Sequence, residues 1–340
     1  MKQLTSIIII ALFGIFFTTG CEKDSSSALN DEQLEEQAII EMITSEESEE
    51  SNYMADWGID DGSEDNMFDG YSSFSPGMSL PKVMAPIDNV VRFGRKLNRN
   101  IPRTLIVRRV SRDSIFVHIE RVWLGQFVIF QNVNHDETQP VSVNIYRKPL
   151  RHIVKKTAVF SLRTEDENAL KDPRRRWKLA AISLNEGFSH PVVTIEIHQV
   201  TIELGGGNVY TFTDPSELLN IHDELPIAMQ GERVKITVLV SNSTENPISL
   251  SEPGETETLL LHYGINRFHH ARKRFQYVGI DEDTNYNIYE GEWTVHEPAF
   301  RPFHCCIDAI DNGTIYDDDN ETYPYNSATW GFPYRVVLSK

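Results

Sequence analysis

From Thr104 onward, apolar and polar residues alternate with a period of two. In "SIFVHIE" (114–120), Ile115, Val117 and Ile119 fall on one side, with Phe116, His118 and Glu120 on the other. That is the pattern of a strand with one buried face. "TLIVRRV", "GQFVIFQNV", "VSVNIY", "HIVKKTAVFSL", "RWKLAAISL", "PVVTIEIHQVTIEL" and "NVYTFTD" read the same way. Turn signals separate them at Ser111–Asp113, Leu124–Gly125, Asp136–Glu137, Glu165–Asp172, Asn185–Gly187 and Gly205–Gly207. Past Pro226, "ERVKITVLVSN" turns Val234, Ile236, Val238 and Val240 inward, and five further short strands follow, ending in "WGFPYRVVL". Helical spacing is rarer. Leu34, Ala38, Ile39, Met42 and Ile43, after Asp31 as N-cap, predict a helix over 31–44. A second helix is expected near 86–97. A strand-dominated chain without long helices argues against a doubly wound enzyme fold.

The expected architecture is mainly β. A signal segment (1–20) is followed by an acidic, mostly disordered spacer (21–80) holding the helix near 31–44. A curved-sheet α+β domain (86–222) and a β-sandwich (226–340) come next. In the curved-sheet domain, "KKTAVFSLR" followed by "RRRWKLAAISLNEG" resembles the closing hairpin of NTF2-like domains, with Trp177 to Ser183 carrying the match. That resemblance implies a cone into which His118 or His152 would point, and an enzyme there is one reading. The alternating strands after Pro226 suit an immunoglobulin-like sandwich.

Charge divides the chain into three zones. Residues 22–80 carry 17 Asp/Glu and one Lys, residues 92–178 carry 20 Lys/Arg and 8 Asp/Glu, and residues 179–340 carry 9 Lys/Arg and 24 Asp/Glu. The first zone holds too little apolar surface to offset its chain entropy. The basic zone, with Arg92, Arg95, Lys96, Arg99 and Arg103 in one cluster and Arg174–Arg176 and Lys178 in another, has three open readings. It binds an anionic polymer, it forms the solvated faces of strands, or an acidic zone of the same chain lies against it. No nucleic-acid-binding motif accompanies it, so nucleic acid is not an expected partner.

The N-terminus adds a compartment. Lys2 precedes an apolar run, Ile7 to Phe17, too short to span a bilayer. It ends in Thr18–Thr19–Gly20–Cys21, which resembles a bacterial lipobox with Thr18 in place of leucine. Glu22–Lys23–Asp24 resembles the charged tag of surface lipoproteins in Bacteroidetes-like bacteria. The resemblance implies lipid on Cys21 and an outer-membrane location facing the cell surface. Cys305 and Cys306 are adjacent and do not bridge easily.

Chemistry is harder to read. No Gly-x-Ser-x-Gly elbow, phosphate loop, CxxC pair or HExxH is present. His262, His269, His270, His296 and His304 lack the spacing of a zinc site. "LLLHYGINRFHH" and "CCIDAIDNGTIYDDDNETYPYN" together resemble starch-binding carbohydrate modules. Tyr263, Gly264 and Asn266 match the first family motif, and Asp311, Gly313, Tyr316, Asp317, Asp319 and Tyr323 follow the second. Phe268 and Tyr316 stand where the family has tryptophan, and one extra residue separates Asp from Gly. The resemblance implies glycan binding by Phe268, Tyr316, Tyr323, Asp317 and Asp319. Aromatic rings would stack on sugar C–H faces, and carboxylates would bond hydroxyls. A competing reading gives the acidic turn a calcium ion held by Asp308, Asp311, Asp317 and Asp319, although Ile310 breaks an EF-hand pattern. No other cofactor is expected. The function expected is non-catalytic binding of an extracellular polysaccharide, or docking of an envelope protein without a sugar site.

Overall fold

The computed structural model describes residues 30–45, 49–54, 83–84, 90–98, 103–132, 143–250, 254–266, 269–295 and 302–338. Cys21, Phe268, His296, most of the acidic zone and the Asp136–Glu137 turn lie outside them. The protein is mainly β, and its described strands form two sheets.

The larger sheet follows the path β1 (Val83–Met84), β2 (Val90–Leu97), β4 (Ser114–Asn132), β5 (Val143–Leu162), β7 (Asn185–Ser189), β18 (Ser327–Val337), β17 (Phe303–Asp311), β13 (Glu257–Asn266), β14 (His269–Arg274). Short strands lie beside this path: β3 (Arg103–Arg109) on β4, β6 (Trp177–Ile182) on β5, β10 (Leu219–Asn220) on β6 and β11 (Ile227–Met229) on β18. The smaller sheet runs β15 (Gln276–Ile280), β16 (Asn287–Thr294), β12 (Arg233–Asn242), β8 (Ile195–Leu204), β9 (Val209–Phe212). Among the described strands every pair is antiparallel except β11 with β18. Pairing crosses residue 226 in both sheets: Glu186 stands opposite Trp330, and Ile202 opposite Ile236.

Three sequence expectations are corrected by the ladder. Residues 90–97 form strand β2, not a helix; Val91, Phe93, Arg95 and Leu97 alternate and pair with β4. Leu124–Gly125 is no turn, because β4 runs unbroken through it in register with β5, from Ser114 opposite Ser161 to Asn132 opposite Val143. Glycine is required there for space: a Cβ on Gly125 would lie 2.1 Å from the Lys96 carbonyl oxygen. Asn185–Gly187 is likewise part of a strand, β7.

The period of two decides the core. One face of β17 and β18 turns Cys305, Ile307, Ala309, Ala328, Trp330 and Phe332 toward the smaller sheet, where Val200, Ile202, Ile236, Val238 and Tyr289 meet them. Phe212 packs on Phe332 at 5.5 Å between ring centres, and Tyr263 on Trp293 at 5.4 Å. Cys305 and Cys306 are buried and unbridged. The opposite face of the larger sheet curls round a second apolar cluster of Phe93, Trp123, Phe127, Ile129, Leu150, Val154, Leu260 and Ile310. Arg272 of β14 reaches across to β2, donating to the Phe93 carbonyl at 3.0 Å and lying over the Phe93 ring at 4.6 Å. That contact brings the two ends of the curled sheet together.

The N-terminal helices close onto this body. α1 (Asp31–Thr44) is capped by Asn30, not Asp31: the Asn30 side chain accepts from Gln33 N, and the Gln33 side chain accepts from Asn30 N. This is a capping box with glutamine in the third position. Ala38, Ile39 and Ile43 are buried, and so is Glu35, which pairs with Arg109 and, at 2.5 Å, with Arg176. α2 (Glu49–Tyr53) follows. Its Asn52 and Tyr53 carbonyls accept from His304 Nε2 at 2.7 Å and Lys156 Nζ at 2.6 Å, and Glu50 pairs with Arg163. One further short helix, α3 (Glu167–Lys171), lies in the connection between β5 and β6 and is capped by Asp166. Of the three readings of the basic zone, these contacts support the third at Arg109, Arg163 and Arg176. Arg95 is not a solvated residue either: it lies inside the curled sheet, and its partner there is Asp308, of the acidic C-terminal zone.

Candidate functional site

The residues proposed for ligand binding come together in the connection between β17 and β18, except Asp308, which lies within β17, and Phe268, which lies outside the described residues. Asp311 ends β17 and caps a short helix, α4 (Asn312–Tyr316). Its Oδ1 accepts from Gly313 N at 2.7 Å, and its Oδ2 accepts from Asn242 Nδ2 at 3.0 Å and Thr244 Oγ1 at 2.7 Å. The turn beyond is shaped by carboxylates bonding their own backbone. Asp317 accepts from Asp319 N, and Asp319 accepts from Glu321 N and from the Thr322 hydroxyl. These bonds hold the Asp319 carboxyl below the usual carboxylate range. Asp318, Asp319, Asn320 and Glu321 are left exposed.

Lys148 braces this loop from within. It stands on β5, 1% exposed, and donates to the carbonyls of Gly313 (2.9 Å) and Tyr323. Burial lowers its pKa to about 8, against the opposing pull of Asp317, Asp311, Asp318 and Asp319. Tyr323 is half-buried; its hydroxyl donates to Asn246 O at 2.8 Å, and its ring fills the space where a Gly313 Cβ would sit. Tyr316 is half-buried against the second apolar cluster, and burial raises its phenol pKa. Trp330, Phe332 and Tyr334 are core residues.

Asp308 does not join the loop carboxylates. It is fully buried in the curled sheet, where Arg95 Nη1 and Nη2 donate to its Oδ2 and Oδ1 at 2.5 and 2.8 Å. Burial by itself would push this carboxyl up; the Arg95 charge overrides that and holds it well below the usual range. With both oxygens on a guanidinium, it is not available to calcium. Among the described residues no group of three or more His, Cys, Asp or Glu is placed to hold a metal ion.

A polar network spreads from that pair. Arg95 also donates to Tyr325 OH at 2.9 Å and Ser327 Oγ at 2.9 Å, and Ser327 Oγ donates to Asp308. Tyr325 OH meets His152 Nδ1 at 3.1 Å, and His152 Nε2 meets Thr329 Oγ1 at 3.2 Å. Of the two histidines considered for catalysis, His152 is thus buried in this network, while His118 is exposed beside Thr157. Sequence reasoning read Arg95 only as one of a basic cluster and gave Lys148 no role. The signal was there: Arg95 sits between Phe93 and Leu97, and Lys148 between Tyr146 and Leu150, each at a period of two.

No family model matches the chain, and no curated protein matches it. Among solved structures the chain is similar to one of extended synaptotagmin 2, comprising its SMP domain and two C2 domains, at 9% identity, over 71% of this chain and 89% of that chain, with a TM-score of 0.14. A likeness this slight bears on neither fold nor function.

Proposed function

We propose that this chain is a lipoprotein tethered through Cys21 to the bacterial outer membrane, on the cell-surface side, and that its folded body binds a ligand without transforming it. The binding loop is 311–325. One observation carries this reading: the loop is braced from within by Lys148 while Asp318 to Glu321 face water. A fixed loop with outward polar groups on a rigid sheet is the usual form of a binding site. The chemistry of the loop, exposed carboxylates and an amide flanked by Tyr316 and Tyr323, suits the hydroxyls of an extracellular glycan. Of the finer fold reading, the curl of β4–β5 suits an NTF2-like part and the face-to-face packing of the two sheets suits an immunoglobulin-like sandwich, although strands from both sides of residue 226 build each sheet.

The buried charges favour binding over catalysis. Arg95, Asp308 and Lys148 are each committed to a partner inside the protein, which suits structural roles. The second reading, a protein-docking envelope lipoprotein, uses the same exposed carboxylates without a sugar.

Affinity electrophoresis of the whole chain tests the choice, because strand pairing across residue 226 makes a fragment unsuitable. Gels containing starch, pullulan, cellulose, xylan or alginate, with and without calcium, are expected to retard the protein in at least one case. Asp319→Ala with Tyr323→Ala is expected to abolish the retardation. Free migration in every gel would leave the protein-docking reading.

A further inference from the structure

The described residues of the segment from Asn30 to Met54 belong to no strand ladder. The segment carries nine Asp/Glu and no Lys or Arg. Side chains of the body grip it. Arg109 on β3 and Arg176 before β6 hold Glu35, Arg163 after β5 holds Glu50, and Lys156 and His304 hold two successive carbonyls of α2. Arg109 also lies over Trp177 at 5.0 Å, so the docking surface is an aromatic floor edged with cations. Ile39, Ile43 and Met54 bury their side chains on it.

The chain between Met54 and Val83 is 28 residues long. Extended, that length spans about 95 Å. A stretch of that reach does not oblige the segment to dock on its own body. A flexible chain of that length would offer the segment to its own surface at no more than roughly millimolar effective concentration.

We propose that this surface accepts residues 30–54 of a second copy of the chain, so that two chains exchange their N-terminal segments. The occupant fits by identity: the acidic helix that matches the cationic surface in one chain matches it equally in the next. Exchange creates no new interface chemistry, which makes it a low-cost route to a dimer. It competes with self-docking wherever chains are crowded to near-millimolar local concentration. The proposal does not depend on what the 311–325 loop binds.

The test uses chains from residue 22 onward, which retain every described residue. One variant carries Glu35→Arg. The other carries Arg109→Glu and Arg176→Glu. Each alone is expected to be monomeric, with amides of 31–44 exchanging about tenfold faster than in the parent while strand amides stay protected. Each has a segment that its own surface repels and the other's surface attracts. Mixed in equal amounts, they are expected to form a heterodimer, seen by size-exclusion light scattering, and to regain protection over 31–44. A mixture that stays monomeric overturns the proposal. Should either variant lose strand protection, the parent decides: ordinary and ¹⁵N-labelled chains mixed at about 1 mM must give a mixed-mass dimer by native mass spectrometry. Its absence overturns the proposal equally.

Discussion

Arg95 and Asp308, 213 positions apart in the chain, meet inside the curled sheet as a two-pronged ion pair whose contacts are 2.5 and 2.8 Å. The pair joins β2, on one side of the curl, to β17, on the other. Neither residue has water to fall back on. Removing one partner leaves a buried charge uncompensated. Asp308→Asn is therefore expected to cost about 3–5 kcal/mol, whereas Arg95→Met with Asp308→Leu is expected to cost far less. Urea unfolding of the three proteins decides it, and a loss below about 1 kcal/mol in Asp308→Asn would show that the pair does not hold the curl.

His304 makes the docked α2 sensitive to acid. Burial is the main cause that lowers its pKa to about 3, and the nearby Lys156 charge adds to it. The folded protein thus keeps His304 neutral where the unfolded chain would protonate it. Its contribution is present above the unfolded pKa of about 6.5 and is lost as pH falls toward 3. The slope is at most about 1.4 kcal/mol per pH unit. His304→Gln keeps a donor for the Asn52 carbonyl and removes the titration. Between pH 6.5 and 5, above most carboxylates, the parent is expected to lose stability relative to this variant. Parallel stability curves in that window would count against the assignment.

Lys148 works in the opposite range. Its pKa of about 8, lowered by burial, means that the folded state gives up a proton the unfolded state retains. The cost of burying its charge is fully present below pH 8 and is relieved as pH rises toward the unfolded value near 10.4. The difference in unfolding free energy between parent and Lys148→Met is expected to move in the parent's favour from pH 8 to 9.5. A pH-independent difference would place the lysine in its charged form throughout.

Gly313 is small because Tyr323 fills its space. A Cβ there would lie 2.1 Å from Tyr323 Cδ1. Gly313→Ala must move the ring or the turn, at a cost of about 1–3 kcal/mol. It is also expected to weaken any ligand held by the loop, whereas Asp318→Ala should leave stability unchanged. Thermal melts of both variants, read beside the gel retardation, separate bracing of the loop from contact with the ligand.

Strands were legible where one face is buried, as in β4, β8 and β12, because alternation records burial directly. Two signals misled. Glycine at 125 read as a turn, since sequence does not distinguish a glycine that bends the chain from one that lets β2 pass close. The apolar and basic mixture at 90–97 read as helical, because its alternation places an arginine where a core residue was expected. That same misplaced charge was the sign of the buried pair. Arg95 needs Asp308 for a partner, and nothing local in the sequence joins them. The loop at 311–325 was legible in composition, while Lys148, 163 positions before Asp311, was not legible as its brace. Asp308 was grouped with the loop by nearness in sequence, and strand β17 turns it the other way.

The docked α1 changes how a pull on the protein would be felt. With lipid on Cys21, only residues 22–29 separate the anchor from Asn30, a reach of roughly 28 Å. Shear at the cell surface would then load α1 first, through Glu35 and its two arginines, and not the strand ladders. Side-chain contacts along a helix peel one after another, whereas a ladder pulled along its strands shears many bonds at once. The segment would let go before the body. In that event α1 serves as a mechanical fuse, yielding so that the sheets keep their shape.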